Sequence, residues 1–330
     1  YAVYHGPEGL RTIARRIHRL AGMLAEGLRQ AGRTVSPGAF FDTLRVDLGD
    51  GAATAFSRAA QAGFNLRQAA PGVLAMAVNE TTTRDDIGAL LELLTGKRPD
   101  LNALDRQAAE ASALAPLLRD DGILTHAVFN SHHTEHGMLR YLKRLQNRDL
   151  ALDHAMIPLG SCTMKLNAAA EMMPVSWPEF AGLHPFAPLD QAAGYVQMIG
   201  ELEGWLASIT GFDAVCMQPN AGSQGEYAGL VTIRRYQAAQ GQGHRDICLI
   251  PKSAHGTNPA TAQMCGLQVV VVDCDEQGNV DVTDLKAKIA AHGDTVSCLM
   301  LTYPSTHGVF EEAVAEICAL VHAAGGQVYM

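Results

Sequence analysis

Three short apolar runs near the end of the chain constrain its fold more than any other feature. They occupy residues 247–250, 269–272 and 296–301. Because apolar residues run on instead of alternating with polar ones, strands built from them must be covered on both faces. Helical patterns separate the runs. The sequence therefore predicts an α/β fold with a mostly parallel, doubly wound sheet and helices on each side.

Polar segments follow predicted strands at positions where such a sheet gathers its ligands, the first of them after a short strand at 214–217. Residues 221–226 place two glycines and a serine at a predicted helix start, where free N–H groups and the helix dipole favour an anion. Residues 253–258 offer the imidazole of His255 beside the hydroxyl of Thr257, which suits the face and edge of an aromatic ring. A third polar segment, 302–308, directly follows the predicted strand at 296–301. Together they predict a site for a phosphate-bearing aromatic cofactor.

The rest of the chain divides by pattern into further parts. The pattern of the first hundred residues predicts five elements in the order helix, strand, helix, strand, helix. Asp50 is expected to cap the second helix, and Thr83 lies near the start of the third. We expect domains at 1–100, a small α/β packing module, at 101–165, a connector and helical arm, and at 166–330, the start of the large sheet domain. Within the last, we expect a helix at 194–210 and a short strand at 214–217.

Composition narrows the possible partners. Hydrophobic residues make up 48% and charged residues 18% of the chain, enough apolar material for real cores. The net charge of −9 lies in the region after Asp120, which argues against nucleic acid and anionic membranes. No apolar run approaches a membrane span.

The cysteines begin at Cys162 without a C-x-x-C pair, so we expect reduced thiols in a cytosolic-type compartment. Starting at Tyr1 and stopping after an apolar stretch, the chain is expected to be an internal fragment.

Two further motifs have competing interpretations. Residues 132–136 satisfy the H-x-x-E-H spacing of one zinc peptidase class, but a helix start with Gly137 inside it and no evident third ligand favours no metal. The polar loop at 157–167 is either a turn at a domain entry or a functional loop. Cys162 within it could be structural or redox-sensitive. Glu226 is expected to serve the start of its own helix.

Four stretches in order carry a specific resemblance. They are IPLGSCTMKLN (157–167), QPNAGSQGEY (218–227), SAHGTNPAT (253–261) and YPSTHGVFEE (303–312). They resemble the P protein of the glycine cleavage system, the fold-type-I family of pyridoxal-phosphate glycine decarboxylases. Residues 1–96 are similar to the end of that family's cofactor-free half, and residues from 129 onward resemble the start of its catalytic half.

The resemblance implies specific site residues. Those expected to bind pyridoxal 5'-phosphate are Ala221, Gly222 and Ser223 at the phosphate, His255 on the ring, Thr257 beside it, and Thr306 or Ser305 near the ring oxygen. Those expected near the substrate carboxylate are Ser161, Cys162 and Thr163. The family's Schiff-base lysine and ring-nitrogen aspartate are expected after Met330. We therefore assign no catalytic residue within the chain, and give Lys165 and Lys252 ordinary roles.

The resemblance also implies an activity. It is the decarboxylation of glycine with transfer of the aminomethyl group to a lipoylated H carrier protein, in a homo-oligomer that works with the other glycine cleavage proteins. The expected location is the cytoplasm, or the mitochondrion in a eukaryote. Alternatives are another fold-type-I enzyme or a non-catalytic α/β domain. A dinucleotide or phosphosugar enzyme fits less well, since no G-x-G-x-x-G motif with a following acidic residue is present.

Overall fold

The computed structural model describes residues 1–110, 114–151, 153–156 and 168–330. It forms two compact units, Tyr1–Leu150 and Ala151–Met330. In the first unit the helices are α1 (Ala2–Gln30), α2 (Ala52–Gln61), α3 (Arg84–Thr95), α4 (Leu101–Glu110) and α5 (Glu135–Gln146), and the strands are β1 (Thr34–Ser36), β2 (Thr43–Asp47), β3 (Arg67–Ala70) and β4 (Val73–Ala77).

The first unit packs α1 and α2 on an antiparallel sheet of order β1-β2-β4-β3. Leu44 pairs with Met76 and Val46 with Leu74, and these side chains are buried in a core that also contains Leu24 of α1. The predicted pattern had two strands, so the prediction missed β1 and β3. Both are short and mostly exposed, with no apolar alternation that would mark a strand.

The start of α3 has the expected capping chemistry, and the start of α2 does not. Thr83 and Asp86 form a reciprocal capping box at the start of α3, which ends at Gly96 in the left-handed conformation (φ 78°). The prediction for Asp50 was wrong, because it lies in a 3₁₀ turn and no side chain caps α2. The Gly51 backbone takes the cap position instead.

Helix α4 belongs to the core of the first unit. It packs along α1, and Leu104 is buried there with Leu24. The region expected as a connector therefore begins with a core helix. On the surface of this contact, Asp105 of α4 accepts hydrogen bonds from Arg19 of α1 and, at 3.2 Å, from Arg84 of α3. These ion pairs join three helices.

The second unit contains a parallel sheet of order β6-β5-β7-β8. Its strands are β5 (Ile247–Pro251), β6 (Gln268–Val272), β7 (Val296–Met300) and β8 (Gln327–Tyr329), and its helices are α6 (Ala169–Met172), α7 (Pro178–Ala181), α8 (Ala193–Thr210), α9 (Gly222–Ala239), α10 (Thr257–Met264), α11 (Val282–His292) and α12 (Val314–Ala323). The three predicted apolar runs are β5, β6 and β7.

The central strands β5 and β7 are buried on both faces, but the prediction that 269–272 is covered on both faces was wrong, because β6 lies at the sheet edge and Val271 is 48% exposed. Leu249 and Leu299 point into one core with residues of α11 and α12, and Cys248 and Ile250 point into the other with residues of α9 and α10. The α/β class and the doubly wound sheet are therefore confirmed. The strand predicted at 214–217 is absent, although these residues lie within the described part of the chain. Across the described ranges, no helix has the length and apolar character that a membrane span requires.

We predict that Asp105→Asn lowers stability at neutral pH and lowers it less in acid. The hydrogen bond from Arg19 and the charges of Arg19 and Arg84 lower the pKa of Asp105 against the opposing effect of burial. A lowered carboxyl pKa stabilises the fold above the unfolded value of about 3.9, and this stabilisation is lost as the pH falls through the folded value. The pair is partly exposed, so the expected loss is only about 0.5–1 kcal/mol.

The measurement is urea unfolding at pH 7 and pH 3, followed by circular dichroism. Asp120→Asn is the matched control, since Asp120 is an exposed aspartate of the same unit. An equal loss for Asp105→Asn at both pH values would show that its charge is not what stabilises the contact.

Candidate functional site

The carboxyl edge of the parallel sheet brings two loops together. The loop after β5 contains Ser253 and His255, and the loop after β7 contains Thr306. Because β5 and β7 are neighbouring strands, their loops leave the sheet side by side. The Thr306 hydroxyl donates a hydrogen bond of 2.5 Å to the carbonyl oxygen of the buried Ser253. This bond fixes one loop to the other.

Helix α9 presents its first turn at the same unit's surface. Ala221 is the N-cap residue in extended conformation, and its carbonyl accepts the first helical hydrogen bond from Gly225 at 3.0 Å. The amides of Gly222, Ser223 and Gln224 precede that bond and so lack helical acceptors. The side chain of Gln224 turns back to accept a bond from the Asn220 amide at 2.8 Å. The exposed turn is therefore ordered and rich in N–H donors, as anion binding requires.

Glu226 joins this helix start to the loop after β5. One carboxylate oxygen accepts a bond from the Thr257 hydroxyl at 2.9 Å, and the other accepts one from the Thr261 hydroxyl at 3.1 Å. The two threonines lie one turn apart on α10. Our interpretation that Glu226 serves its own helix start was wrong, because both oxygens reach across to another helix. No local sequence pattern shows this link, because Glu226 and the two threonines are more than thirty residues apart.

His255 lies in the turn that leads into α10. Its carbonyl accepts a hydrogen bond from the Asn258 amide at 3.1 Å, and its side chain is half-buried. Thr257 lies two residues later and donates a hydrogen bond to Glu226. The structure thus connects His255 and Thr257 to the start of α9 through one carboxylate, and connects their loop to Thr306 through Ser253.

A cavity of about 490 Å³ adjoins the start of α9. Its lining residues are Cys216, Gln218, Pro219, Ser223, Gln224, Tyr227, Ala228, Thr261 and Met264. Of the predicted cofactor residues, Ser223 lines this cavity, whereas His255, Thr257 and Thr306 do not. Cys216, from the segment expected as a strand at 214–217, is part of its wall, and the Met217 amide donates to Glu203 at 3.1 Å.

Lys252, one of the two lysines given an ordinary role, forms an ion pair. The Lys252 ammonium contacts the carboxylate of Asp273 at 2.7 Å, and this hydrogen bond raises the pKa of Lys252 and lowers that of Asp273. Ser161, Cys162, Thr163 and Lys165 lie outside the described residues.

The remaining candidate motifs have local structural partners. In the histidine-rich segment, His133 contacts the Tyr4 carbonyl at 2.7 Å through its Nδ1 atom, and Thr134 caps α5. In the sheet, the sulfur atoms of Cys248 and Cys298 lie 3.5 Å apart, and the hydrogen bond between them together with burial raises the pKa of Cys248. A protonated thiol is a poor nucleophile.

Comparison with known proteins gives consistent matches. The family model described as glycine cleavage system P-protein matches residues 1–94. The chain is similar over 100% of its length to glycine dehydrogenase (decarboxylating) of Dechloromonas aromatica, at 62% identity, and of Chromobacterium violaceum, at 58% identity. It covers 34% of each relative, so it spans about a third of the length of the curated relatives it matches.

A solved structure gives a weaker match. It is a glycine decarboxylase (P-protein) of the glycine cleavage system in inhibitor-bound form, with a TM-score of 0.49 and 17% identity over 75% of this chain and 51% of that chain. A likeness at this level adds nothing to the match with the sequence relatives.

We predict that Glu226→Ala loosens the loop that carries His255. The substitution removes both acceptors and leaves the buried Thr261 hydroxyl unpaired, which costs about 1–3 kcal/mol. Hydrogen exchange at residues 253–261, followed by mass spectrometry, should become faster. Glu276→Ala, at an exposed turn of the same unit, is the control. Equal exchange in the two variants would contradict the role given to Glu226.

Proposed function

The chain belongs, as a section of about a third of the full length, to the glycine cleavage system P-protein family, and on that premise we propose that it binds the cofactor of a glycine decarboxylase. The full-length protein would decarboxylate glycine with pyridoxal 5'-phosphate and pass the aminomethyl group to a lipoylated H carrier protein. The observation that carries the proposal is the linkage of three predicted cofactor segments through Glu226 and Ser253.

The residues present fit such a cofactor in chemistry and in room. The first-turn amides of α9 and the Ser223 hydroxyl are the donors that a phosphate takes at a helix start. A methyl group added at Gly222, Gly225 or Gly256 would meet no atom within 4 Å, so the backbone there is open to close approach. The adjoining cavity of about 490 Å³ reaches Ser223 but not His255, so the ring would lie outside it, on the open side of the glycines.

Each residue would have a distinct task. Ala221, Gly222 and Ser223 hold the phosphate, and His255 faces the pyridine ring. The Thr257 and Thr306 hydroxyls already donate, to Glu226 and to Ser253. A hydroxyl has one proton to donate, so while these bonds persist both threonines meet a ligand as acceptors. When bound, pyridoxal phosphate supplies the electron withdrawal that lets carbon dioxide leave glycine.

The lysine that holds the cofactor covalently would lie in the part of the protein after Met330, with the aspartate that protonates the ring nitrogen. The ion pair at Lys252 supports this placement, because a protonated amine cannot attack a carbonyl. We therefore expect the chain alone to bind the cofactor weakly and to turn over no glycine.

Substrate and partner contacts extend the proposal. Ser161, Cys162 and Thr163 would bind the glycine carboxylate. The lipoyl arm would reach the cofactor past the small residues Gly222 and Gly256. We place the full-length protein in a homo-oligomer in the cytoplasm, or in the mitochondrion of a eukaryote, together with the other glycine cleavage proteins.

We predict that His255→Ala and Ser223→Ala weaken cofactor binding by the full-length protein. Loss of ring stacking should raise the Kd of pyridoxal phosphate by up to about tenfold, and loss of a charge-assisted hydrogen bond by about tenfold or more. The measurement is an absorbance titration with the cofactor. His244→Ala is the control for His255, since His244 lies before β5 at the opposite edge of the sheet. A Kd unchanged from wild type in both site variants would contradict the assignment.

Borohydride reduction of the full-length holoprotein, followed by peptide mapping, tests the position of the covalent lysine. We predict that the cofactor label is found on a peptide beyond Met330. Label on Lys165 or Lys252 would refute this part of the proposal and leave the phosphate and ring contacts to be tested by the titration.

A further inference from the structure

The first unit contains a cavity unrelated to the predicted cofactor site. It has a volume of about 430 Å³, and its lining residues are Arg16, Arg19, Leu20, Met23, Arg84 and Asp105. Leu20 and Met23 are buried residues of the first core, so the floor is apolar. Three arginines and one aspartate are among the lining residues. The lining therefore carries an excess of positive charge, in a chain whose net charge is −9.

Neighbouring groups hold all three guanidinium groups in place. Arg16 donates to the backbone carbonyls of Glu80 at 2.9 Å and Thr82 at 2.8 Å. Arg84 donates to Asp105 at 3.2 Å and to Asn102 at 2.9 Å, and Arg19 donates to the other oxygen of Asp105. A cation that is already oriented loses little conformational entropy when it binds a ligand.

Most N–H donors of these three arginines take no part in the hydrogen bonds of the described residues. A guanidinium has five N–H donors, and the hydrogen bonds of the described residues use two on Arg16, two on Arg84 and one on Arg19. Structural ion pairing alone would be complete with one arginine per carboxylate oxygen, which Arg19 and Arg84 already supply. Arg16 has no carboxylate partner among these bonds. It is thus a cation that Asp105 does not neutralise.

We propose that this cavity is a binding site for a small molecule that carries a phosphate or a pair of carboxylates. The fork of a guanidinium matches the oxygens of either group, and three of them around one anion give both charge and direction. The apolar floor would accept a short hydrocarbon portion of the same molecule. The hydrogen bond from Arg19, together with the charges of Arg19 and Arg84, lowers the pKa of Asp105, so its carboxylate remains bound to these two arginines.

Equilibrium dialysis of the full-length protein with radiolabelled inorganic phosphate tests the proposal. The protein is first loaded with pyridoxal phosphate and the unbound cofactor is removed, so that the start of α9 is occupied while no free phosphate ester competes for the cavity. We expect saturable binding above a background at equal ionic strength in chloride. Arg16→Gln and Arg84→Gln should each weaken it by about tenfold or more, because each removes a charge-assisted contact. Arg45→Gln, an exposed arginine on β2, should leave it unchanged.

Two site variants are used so that the test can still be interpreted if one of them fails to fold. Arg84 also anchors Asp105, whereas Arg16 bonds only to backbone carbonyls, so Arg16→Gln can report even where Arg84→Gln fails to fold. Displacement of the label by methyl phosphate identifies a phosphate ligand, and displacement by succinate identifies a dicarboxylate. The absence of saturable binding in the wild type, or equal binding in wild type and Arg16→Gln, would overturn the proposal.

Discussion

The burial of β5 and β7 on both faces is the constraint on which the rest of the second unit depends. Every residue of these strands is buried. Each large side chain removed from water contributes about 1.5–3 kcal/mol, so polar groups are excluded from the strands unless they are satisfied. Ser297 is such an exception, since it exchanges two hydrogen bonds with the buried Gln237. Polar side chains that could bind a ligand are therefore confined to the loops at the strand ends.

The loops at the carboxyl edge are held by side chains rather than by strand pairing. Thr306 bonds the Ser253 carbonyl, and Glu226 bonds two hydroxyls of α10. A carboxylate one helical turn from a phosphate site would repel the ligand if its charge were unshared. The Thr257 and Thr261 hydroxyls stabilise that charge and so reduce the conflict. Glu226 also raises the pKa of Tyr329, although burial is the larger cause.

The sequence predicted those parts of the fold that have a local or periodic signal. The apolar runs of β5, β6 and β7 and the capping box at Thr83 carried such signals and were confirmed. The strands β1 and β3 carried none, since antiparallel edge strands are specified by their neighbours. The run at 214–217 is apolar, yet it lines a cavity instead of a sheet. The links from Glu226 and Thr306 join residues far apart in sequence, which no local pattern reveals. The cofactor contacts themselves stay predictions.

A crystal structure of the full-length protein with pyridoxal phosphate tests the central claim most directly. The phosphate should lie against the amides of Gly222, Ser223 and Gln224, and the ring against the imidazole of His255. Thr257 and Thr306 should both lie within hydrogen-bond distance of the cofactor. A phosphate bound elsewhere, with the first turn of α9 facing solvent and His255 away from the ring, would contradict it.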